Sequence, residues 1–213
     1  MTKSNTEHPK KALLLLSGGI DSPIAGYLIK QRNIEVDAIH FSSEPFTDKT
    51  PENKSIELAK KIQIKKVFVS KIGEELSQLT KKCEHKYYYV LQRRLMWRIA
   101  EKLANKEGYE FLITGENLSQ VSSQTLENMK VTDKAVNITI LRPILCNDKQ
   151  ETIDLAKKIG TYDLSKGPEF CCVLGPQSPA TKARLHDIER EEEKIDWQEM
   201  VNTALETLEC KKL

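Results

Sequence analysis

A loop with two adjacent glycines occupies residues 17–22, Ser-Gly-Gly-Ile-Asp-Ser, between a short aliphatic run and an amphipathic segment. Backbone N–H groups converge in a tight turn between a buried strand and a helix, and the helix N-terminus adds positive potential, so an anion fits there. A Walker A loop would end in Gly-Lys-Ser/Thr, whereas Ile20 and Asp21 follow Gly19 here, so transfer of a γ-phosphate is not expected. The spaced glycines of a dinucleotide-binding turn are also missing. The loop predicts a phosphate site, although Ser-Gly-Gly alone is equally compatible with an ordinary tight turn.

A second segment, residues 114–128, is rich in small and amide side chains. It reads Thr-Gly-Glu-Asn-Leu-Ser-Gln-Val-Ser-Ser-Gln-Thr-Leu-Glu-Asn, which is more polar than a helix packed in a core requires. We therefore expect it to hold something polar.

A pair of cysteines, Cys171 and Cys172, lies in a segment rich in Pro and Gly. A thiolate can accept sulfane sulfur as a persulfide and then attack an activated carbon, and the loop position favours this role over simple burial. For Cys146, which follows two apolar residues, burial is the preferred interpretation. Cys83 and Cys210 are candidate resolving thiols, with an inert surface position as the simpler interpretation.

The elements that must position these residues alternate between strand and helix. Strands are predicted at residues 11–16, 35–41, 67–69, 111–114 and 138–141. One helix is predicted to be capped by Asp21 or Ser22, and another opens at Thr50. Further helices are predicted at residues 84–106 and 119–129 and from an Asp148/Glu151 capping box as far as Gly160. The alternation predicts an α/β fold, with a doubly wound, mostly parallel five-stranded sheet and helices on both faces. Residues 1–10 are expected to form a flexible tail, 11–181 the main domain, and 182–213 a helical extension packed on the same domain.

Composition describes a globular chain of 213 residues with 39% apolar and 30% charged residues. The net charge of +2 permits contact with nucleic acid without arguing for it. The N-terminus lacks an apolar signal-peptide core, and no apolar run is long enough to cross a bilayer, so a cytoplasmic protein without membrane contact is expected. The five cysteines form no CxxC pair and are expected to be free thiols.

The loop at residues 17–22 resembles the PP-loop signature of ATP pyrophosphatases, and residues 114–128 are similar to the TGE-L-QV-SQT-N block of the tRNA 4-thiouridine sulfurtransferase family. Agreement extends to residues 90–96, to Leu-Arg-Pro at 141–143 with Asp148 and Lys149, and to Ile-Gly-Thr at 159–161 leading to Cys172 and Ser-Pro at 178–179. The resemblance implies an adenine nucleotide alpha hydrolase-like fold and an enzyme that adenylates O4 of a tRNA uridine. Sulfur from a cysteine persulfide would then replace that oxygen, giving 4-thiouridine with release of AMP and pyrophosphate.

The resemblance also assigns residues to the site. Asp21 and Lys149 would assist adenylation, and Asp21 would help to position Mg²⁺, a hard cation that prefers carboxylate and phosphate oxygens. The positions implied to contact ATP are Leu15, Leu16, Ser17, Gly18, Gly19, Ser22, His40, Phe41, Arg93, Gly115 and Gln124.

Most of these residues also have a purely structural interpretation. Phe41 fits burial at a strand end, Arg93 a solvated helix face, Gly115 a turn, and Gln124 a surface amide. Lys149 is oddly placed at a helix N-terminus, where the helix dipole disfavours a cation, and this hints at a nearby anion.

The resemblance leaves the persulfide cysteine uncertain by one residue. Counting without gaps from Asp148 selects Cys172, which we prefer, whereas the local Pro-Glu-aromatic-Cys string selects Cys171. Some archaeal relatives hold an iron–sulfur cluster through a CxxC at the positions of Tyr89 and Gln92, so no cluster is expected here.

Family members usually carry an N-terminal ferredoxin-like and THUMP region that captures tRNA, whereas ten residues precede the first predicted strand here. We therefore expect a catalytic core that stands alone and obtains tRNA through a separate capturing protein, a homodimer or its own lysine clusters. A cysteine desulfurase or another persulfide or sulfide donor would supply sulfur. Two alternatives are a PP-loop enzyme that thiolates another nucleoside or small molecule, and a non-catalytic nucleotide-binding module.

Overall fold

The computed structural model describes residues 9–118, 121–166 and 174–213. Its strands are β1 (Lys11–Leu15), β2 (Glu35–Ser42), β3 (Lys66–Lys71), β4 (Phe111–Ile113), β5 (Thr139–Leu141) and β6 (Glu209–Lys212). Its helices are α1 (Asp21–Lys30), α2 (Thr50–Lys61), α3 (Gly73–Lys82), α4 (Tyr88–Glu107), α5 (Leu126–Asp133), α6 (Lys149–Lys158), α7 (Tyr162–Ser165), α8 (Leu185–Glu192) and α9 (Trp197–Glu206).

The strands form one six-stranded sheet in the order β5-β4-β1-β2-β3-β6. β1 pairs in parallel with both β2 and β4, so the chain winds outward in opposite directions from the two sides of β1. Ligands of open α/β sheets bind at this switch point, outside the carboxyl ends of the strands. The loop at residues 17–22 follows β1 and therefore lies at the switch point. The predicted doubly wound, mostly parallel sheet is confirmed.

The predicted strand count of five was wrong, because β6 adds a sixth, antiparallel strand on the outer edge of β3. The helical C-terminal extension predicted at residues 182–213 contains α8 and α9, and β6 follows them. The strand reads Glu-Cys-Lys-Lys, without the apolar alternation that identifies a strand from sequence. Its conformation comes from pairing with an open edge: Val67 pairs with Lys211, and Lys211 also reaches the buried carboxylate of Glu52 on α2.

Helices cover both faces of the sheet because successive residues of β1 point to opposite sides. Leu13 and Leu15 pack on one side in a core dominated by α4, which contributes Leu91, Leu95 and Trp97. On the other side Ala12, Leu14 and Leu16 pack with residues of α1 and α2, including Ala25 and Ala59. The burial of both faces fits the near-continuous apolar sequence of β1.

Several helix boundaries differ from the prediction. The capping box of α6 is confirmed, with Asp148 accepting from the Gln150 N–H at 2.7 Å. The helix predicted at residues 119–129 is instead a short 3-10 turn, Ser122–Gln124, followed by α5, which begins after Thr125. α3 was not predicted. No helix in the described part of the chain is long and apolar enough to span a membrane.

Candidate functional site

The loop after β1 is closed by two serine hydroxyls. The N–H of Ser17 donates to Ser22 Oγ at 2.9 Å, and the two hydroxyl oxygens lie 3.1 Å apart. The N–H of Gly19 donates to Ser17 Oγ at 3.2 Å. α1 begins immediately after this turn, so its N-terminal N–H groups and the positive end of its dipole belong to the same structure. The arrangement is suited to holding an anion.

Neither Asp21 nor Ser22 caps α1 as predicted. The N-cap position is Ile20, and it makes no side-chain capping bond. The hydroxyl of Ser22 is used inside the loop, where it also donates to the Ser17 carbonyl oxygen at 3.3 Å. Asp21 lies in the first turn of α1, partly exposed, where a carboxylate complements the helix dipole.

Gly115, which follows β4, lies directly against this loop. A Cβ atom at Gly115 would lie 2.5 Å from the backbone nitrogen of Ser22 and 2.6 Å from the carbonyl carbon of Asp21. Any side chain would therefore displace the loop backbone. The interpretation of Gly115 as a simple turn residue misses this close approach. It brings the end of β4 against the loop at residues 17–22, which is called the phosphate loop below.

His40 fastens the ends of β1 and β2 to α2. Its Nδ1 lies 3.0 Å from the carbonyl oxygen of Leu16 and 2.9 Å from Ser55 Oγ. Burial lowers the pKa of His40, so the imidazole is neutral. Because the ring serves this fastening, an ATP contact at His40 would come from its backbone. Phe41 is partly exposed and packs at the margin of the large core, while Leu15 and Leu16 are buried.

Arg93 takes part in a buried charge cluster instead of forming a solvated helix face. Its Nε lies 3.6 Å from Oε1 of Glu116, and its guanidinium carbon lies 5.8 Å from the Trp97 ring centroid. The Glu116 side chain is 1% exposed, and its Oε2 accepts from Nε of Arg142 at 2.8 Å. Arg142 also donates to Asp133. Because Glu116 follows Gly115 in the chain, this cluster lies at the same end of the sheet as the phosphate loop.

Side-chain amides form hydrogen bonds within the described parts of the polar segment at residues 114–128 and between it and neighbouring loops. Gln124 Oε1 accepts from the N–H of Asn117 at 3.4 Å, and Asn117 Nδ2 donates to the Asn147 carbonyl at 2.8 Å. Asn128 is fully buried and donates to the carbonyls of Ser122 at 2.6 Å and Ala180 at 2.8 Å. Much of the polarity that predicted a ligand therefore serves the loop itself.

Cys171 and Cys172 lie outside the described residues, but the chain on both sides of them is anchored near the site. On the near side, Ser165 is 2% exposed, and its hydroxyl donates to the Gly19 carbonyl at 3.3 Å. On the far side, Asn128 Oδ1 accepts from the N–H of Ala183 at 2.9 Å. The near side of the cysteine segment is thus tied to the loop at residues 17–22, and the far side is tied to α5.

Two site neighbours, Ser165 and Lys54, were missed from sequence. Nζ of Lys54 donates to the Ser165 carbonyl at 2.9 Å, and the Lys54 side chain lies over Gly18. No local signal could have identified them, because these contacts join positions 54 and 165 through the tertiary fold. A serine at a helix end and a lysine in an amphipathic helix are ordinary residues in isolation.

Lys149 is exposed at the first residue of α6, a helix that packs on α1. Its side chain makes no hydrogen bond or ion pair with any residue in the described ranges, so it does not contact the loop at residues 17–22. Asp21 supplies one carboxylate at the loop. Mg²⁺ is commonly bound through one or two carboxylates together with substrate phosphates, so Asp21 and a bound nucleotide fit this ion.

Two of the cysteine interpretations were wrong. Cys146 is exposed, not buried, whereas Cys83 is buried and not on the surface. Burial and the nearby Glu191 raise the pKa of the Cys83 thiol to about 11, which disfavours the thiolate. Cys210 is exposed on β6. Cys83 is therefore a poor candidate for a resolving thiol.

Comparison with known proteins identifies relatives of this chain. A family model described as thiamine biosynthesis protein (ThiI) matches residues 8–197. A probable tRNA sulfurtransferase of Acetivibrio thermocellus is 42% identical over 208 residues, which are 93% of this chain and 52% of the relative. One of Coxiella burnetii is 43% identical over 209 residues, with 93% and 52% coverage. The chain spans about half the length of these curated relatives.

Solved structures extend the comparison. A 4-thiouridine synthetase in complex with RNA and bound ATP aligns with a TM-score of 0.90 at 32% identity, covering 95% of this chain and 55% of that one. An NH3-dependent NAD synthetase from Campylobacter jejuni shares the fold, with a TM-score of 0.59 at 17% identity, covering 96% of this chain and 87% of that one. With a family model that matches most of its length and relatives above 40% identity, the chain belongs to the ThiI family.

Proposed function

We propose that this chain carries the ATP-dependent step and the sulfur-transfer step of a tRNA uridine 4-sulfurtransferase. ATP would bind with its phosphates at residues 17–22, O4 of a uridine would be adenylated, and sulfur would replace the oxygen. The observation that carries the proposal is the contact of Gly115 with the backbone of Asp21 and Ser22. It joins the segment that resembles a thiouridine-forming enzyme to the loop that resembles an ATP pyrophosphatase.

The adenylation step follows from the charges around the loop. O4 of the uridine attacks the α-phosphorus and pyrophosphate leaves, so negative charge grows on the leaving group. The N–H groups in the first turn of α1 and the helix dipole would stabilise that charge, and a Mg²⁺ held by Asp21 would offset more of it. Arg93 has guanidinium N–H groups not used by the described residues and would contact the nucleotide. Lys149 would have to approach from the N-terminus of α6.

The sulfur step uses the cysteine segment. The outer sulfur of a persulfide on Cys172 attacks C4 of the adenylated uridine, and AMP leaves. A second thiol then breaks the remaining S–S bond, which yields 4-thiouridine and a disulfide. The bond from Ser165 to Gly19 supports this proposal, because it holds the chain that leads into the segment beside the loop. A thiol reductant would reduce this disulfide and return Cys172 to the free thiol, and a cysteine desulfurase or another persulfide donor would then reload it.

The proposal is tested by incubating the protein with tRNA, ATP, Mg²⁺ and a persulfide donor, then digesting the tRNA and measuring 4-thiouridine by mass spectrometry. Formation of 4-thiouridine that depends on ATP is the expected result. Pyrophosphate release without 4-thiouridine would contradict the tRNA substrate and favour another thiolated nucleoside or a small molecule. If the protein binds no nucleotide, both the tRNA hypothesis and the hypothesis of another thiolated substrate are wrong.

A matched pair of variants assigns the persulfide cysteine. Cys172→Ser is expected to abolish 4-thiouridine formation and to leave ATP binding unchanged, whereas Cys171→Ser retains activity. The reverse pattern would move the persulfide to Cys171. Cys146→Ser is the control, because Cys146 is exposed and lies outside the segment.

A further inference from the structure

The phosphate loop has no lysine of its own, yet a lysine from another element lies against it. Lys54 belongs to α2, the helix that precedes β3. If Gly18 carried a Cβ atom, that atom would lie 3.1 Å from Cδ and 3.6 Å from Cε of Lys54. The aliphatic part of Lys54 therefore runs over the backbone of the loop at Gly18.

The ammonium group of Lys54 is held by a backbone carbonyl and not by a carboxylate. Among the described residues it donates one hydrogen bond, to the Ser165 carbonyl at 2.9 Å. Within the described ranges no carboxylate lies within ion-pair distance of it, in contrast to Lys60 of the same helix, which is 2.7 Å from Glu57. An ammonium group has three N–H donors, so two are not used by the residues that the structure describes.

Ser165 connects this lysine to the loop a second time. Its hydroxyl donates to the Gly19 carbonyl at 3.3 Å while its own carbonyl accepts from Lys54. Lys54, Ser165 and the two loop glycines thus form one closed arrangement, with Ser165 buried inside it. The position of the ammonium group is fixed by these contacts before any ligand binds.

We propose that Lys54 binds the phosphates of ATP, supplying from α2 the positive charge that a Walker loop carries within itself. A preorganised cation beside converging N–H groups stabilises the triphosphate and the departing pyrophosphate. Since Ser165 lies just before the cysteine segment, Lys54 also joins the bound phosphates to the start of that segment. The inference rests on the proposed function in that it takes the ligand of the loop to be ATP.

The experiment measures affinities for ATP with Mg²⁺, for inorganic pyrophosphate and for AMP by calorimetry in four proteins. These are the unmodified chain, Lys54→Met, Lys54→Gln and Lys54→Arg. Lys54→Met and Lys54→Gln are expected to weaken ATP and pyrophosphate binding by roughly 10-fold or more, the scale of a charge-assisted hydrogen bond, and AMP binding by much less. Lys54→Arg keeps the charge and is expected to bind ATP within about 3-fold of the unmodified chain.

The glutamine variant separates phosphate binding from a purely structural role. An amide N–H can still donate to the Ser165 carbonyl but carries no charge, so a structural tether predicts near-normal ATP affinity in Lys54→Gln. That result, or an equal loss for ATP and AMP, would overturn the inference. Lys61→Met is the matched control, because Lys61 is exposed on the same helix, and melting temperatures show whether each variant is folded.

The outcomes also separate this inference from the proposed function. If the unmodified chain binds ATP and Lys54→Met binds it equally well, the inference fails and the proposed function stands. If the unmodified chain binds neither ATP nor pyrophosphate, both are wrong. A lower salt dependence of ATP affinity in Lys54→Met and Lys54→Gln than in Lys54→Arg would support a direct charge contact.

Discussion

Two neighbouring arginines of α4 pair with two different buried glutamates, and the pairs differ in how completely they are satisfied. Arg94 is 2% exposed and donates from Nε and Nη2 to both oxygens of Glu192, at 2.6 and 2.9 Å. Its Nη1 donates to the Val131 carbonyl at 2.6 Å, and Arg98 donates twice more to Glu192. Arg93 has one ion pair at 3.6 Å, with Glu116, whose Oε1 lacks a hydrogen-bond partner in the described part of the chain.

The difference distinguishes a charge cluster that is purely structural from one whose hydrogen-bonding groups can still bind a ligand. The Glu192 cluster joins α4 to α8, and each of the three guanidinium nitrogens of Arg94 donates to the protein. The Glu116 cluster lies beside the phosphate loop, and donors of Arg93 are left unused by the residues that the structure describes. Buried polar groups are nearly always satisfied in native structures, and we propose that a nucleotide at the loop of residues 17–22 completes this cluster.

The largest effect is expected from Glu192→Gln. Removing one member of a buried ion-pair cluster leaves the arginines uncompensated, and the free energy of unfolding should fall by about 3–5 kcal/mol. Urea denaturation measures the loss, and ATP affinity of the folded protein should be unchanged. Glu193→Gln is the control, because Glu193 is adjacent and exposed. If the free energy of unfolding falls no more than in the control, the cluster has no structural role.

Arg93→Met should show the opposite pattern. One long ion pair is lost, so the free energy of unfolding should change by less than about 1 kcal/mol. ATP affinity should fall roughly 10- to 100-fold, because hydrogen bonds to charged groups contribute about 1.5–3 kcal/mol. Calorimetric titration with ATP measures this, with the exposed Lys106→Met on α4 as control. Unchanged affinity would place Arg93 outside the nucleotide site.

Glu116→Gln should lower ATP affinity by a smaller factor, roughly 3- to 10-fold, since the amide holds Arg93 and Arg142 less firmly than a carboxylate. The same substitution made in Arg93→Met should have almost no further effect on affinity. This double-mutant cycle distinguishes positioning of Arg93 from a general loosening of the site. Additive losses of affinity would argue that Glu116 acts by another route.

The smallest expected effect is a change in pH dependence. Burial alone would raise the pKa of Glu192, but hydrogen bonds from Arg94 and Arg98 hold it below the usual value. A depressed folded-state pKa contributes stability above the unfolded-state value, and this stability is lost as pH falls through the folded-state pKa. Stability of the unmodified chain should therefore fall below about pH 4.5 more steeply than that of Glu192→Gln. If the free energy of unfolding, measured by urea denaturation, falls equally with pH in the two proteins, the pKa of Glu192 is not depressed.

Sequence predicted the elements whose patterns are local. β1 is aliphatic on both faces, and the α6 capping box is recognisable as Asp-x-x-Glu. The two adjacent glycines mark the turn between β1 and α1. β6 could not be predicted, since its charged residues become a strand only by pairing with β3. Likewise the difference between Arg93 and Arg94 depends on Glu116 and Glu192, which are distant in sequence, and an arginine repeat on one helix carries no information about either partner.

The antiparallel strand β6 has a consequence for the order in which the molecule assembles. β6 pairs residue 211 with residue 67, so the edge of β3 is closed only after nearly the whole chain is available. Until then the apolar Val-Phe-Val of β3 presents unpaired backbone groups, a template for association between nascent chains. Pairing with β6 covers these groups, and the lysines of β6 are of the kind that disfavours further pairing at an exposed strand edge.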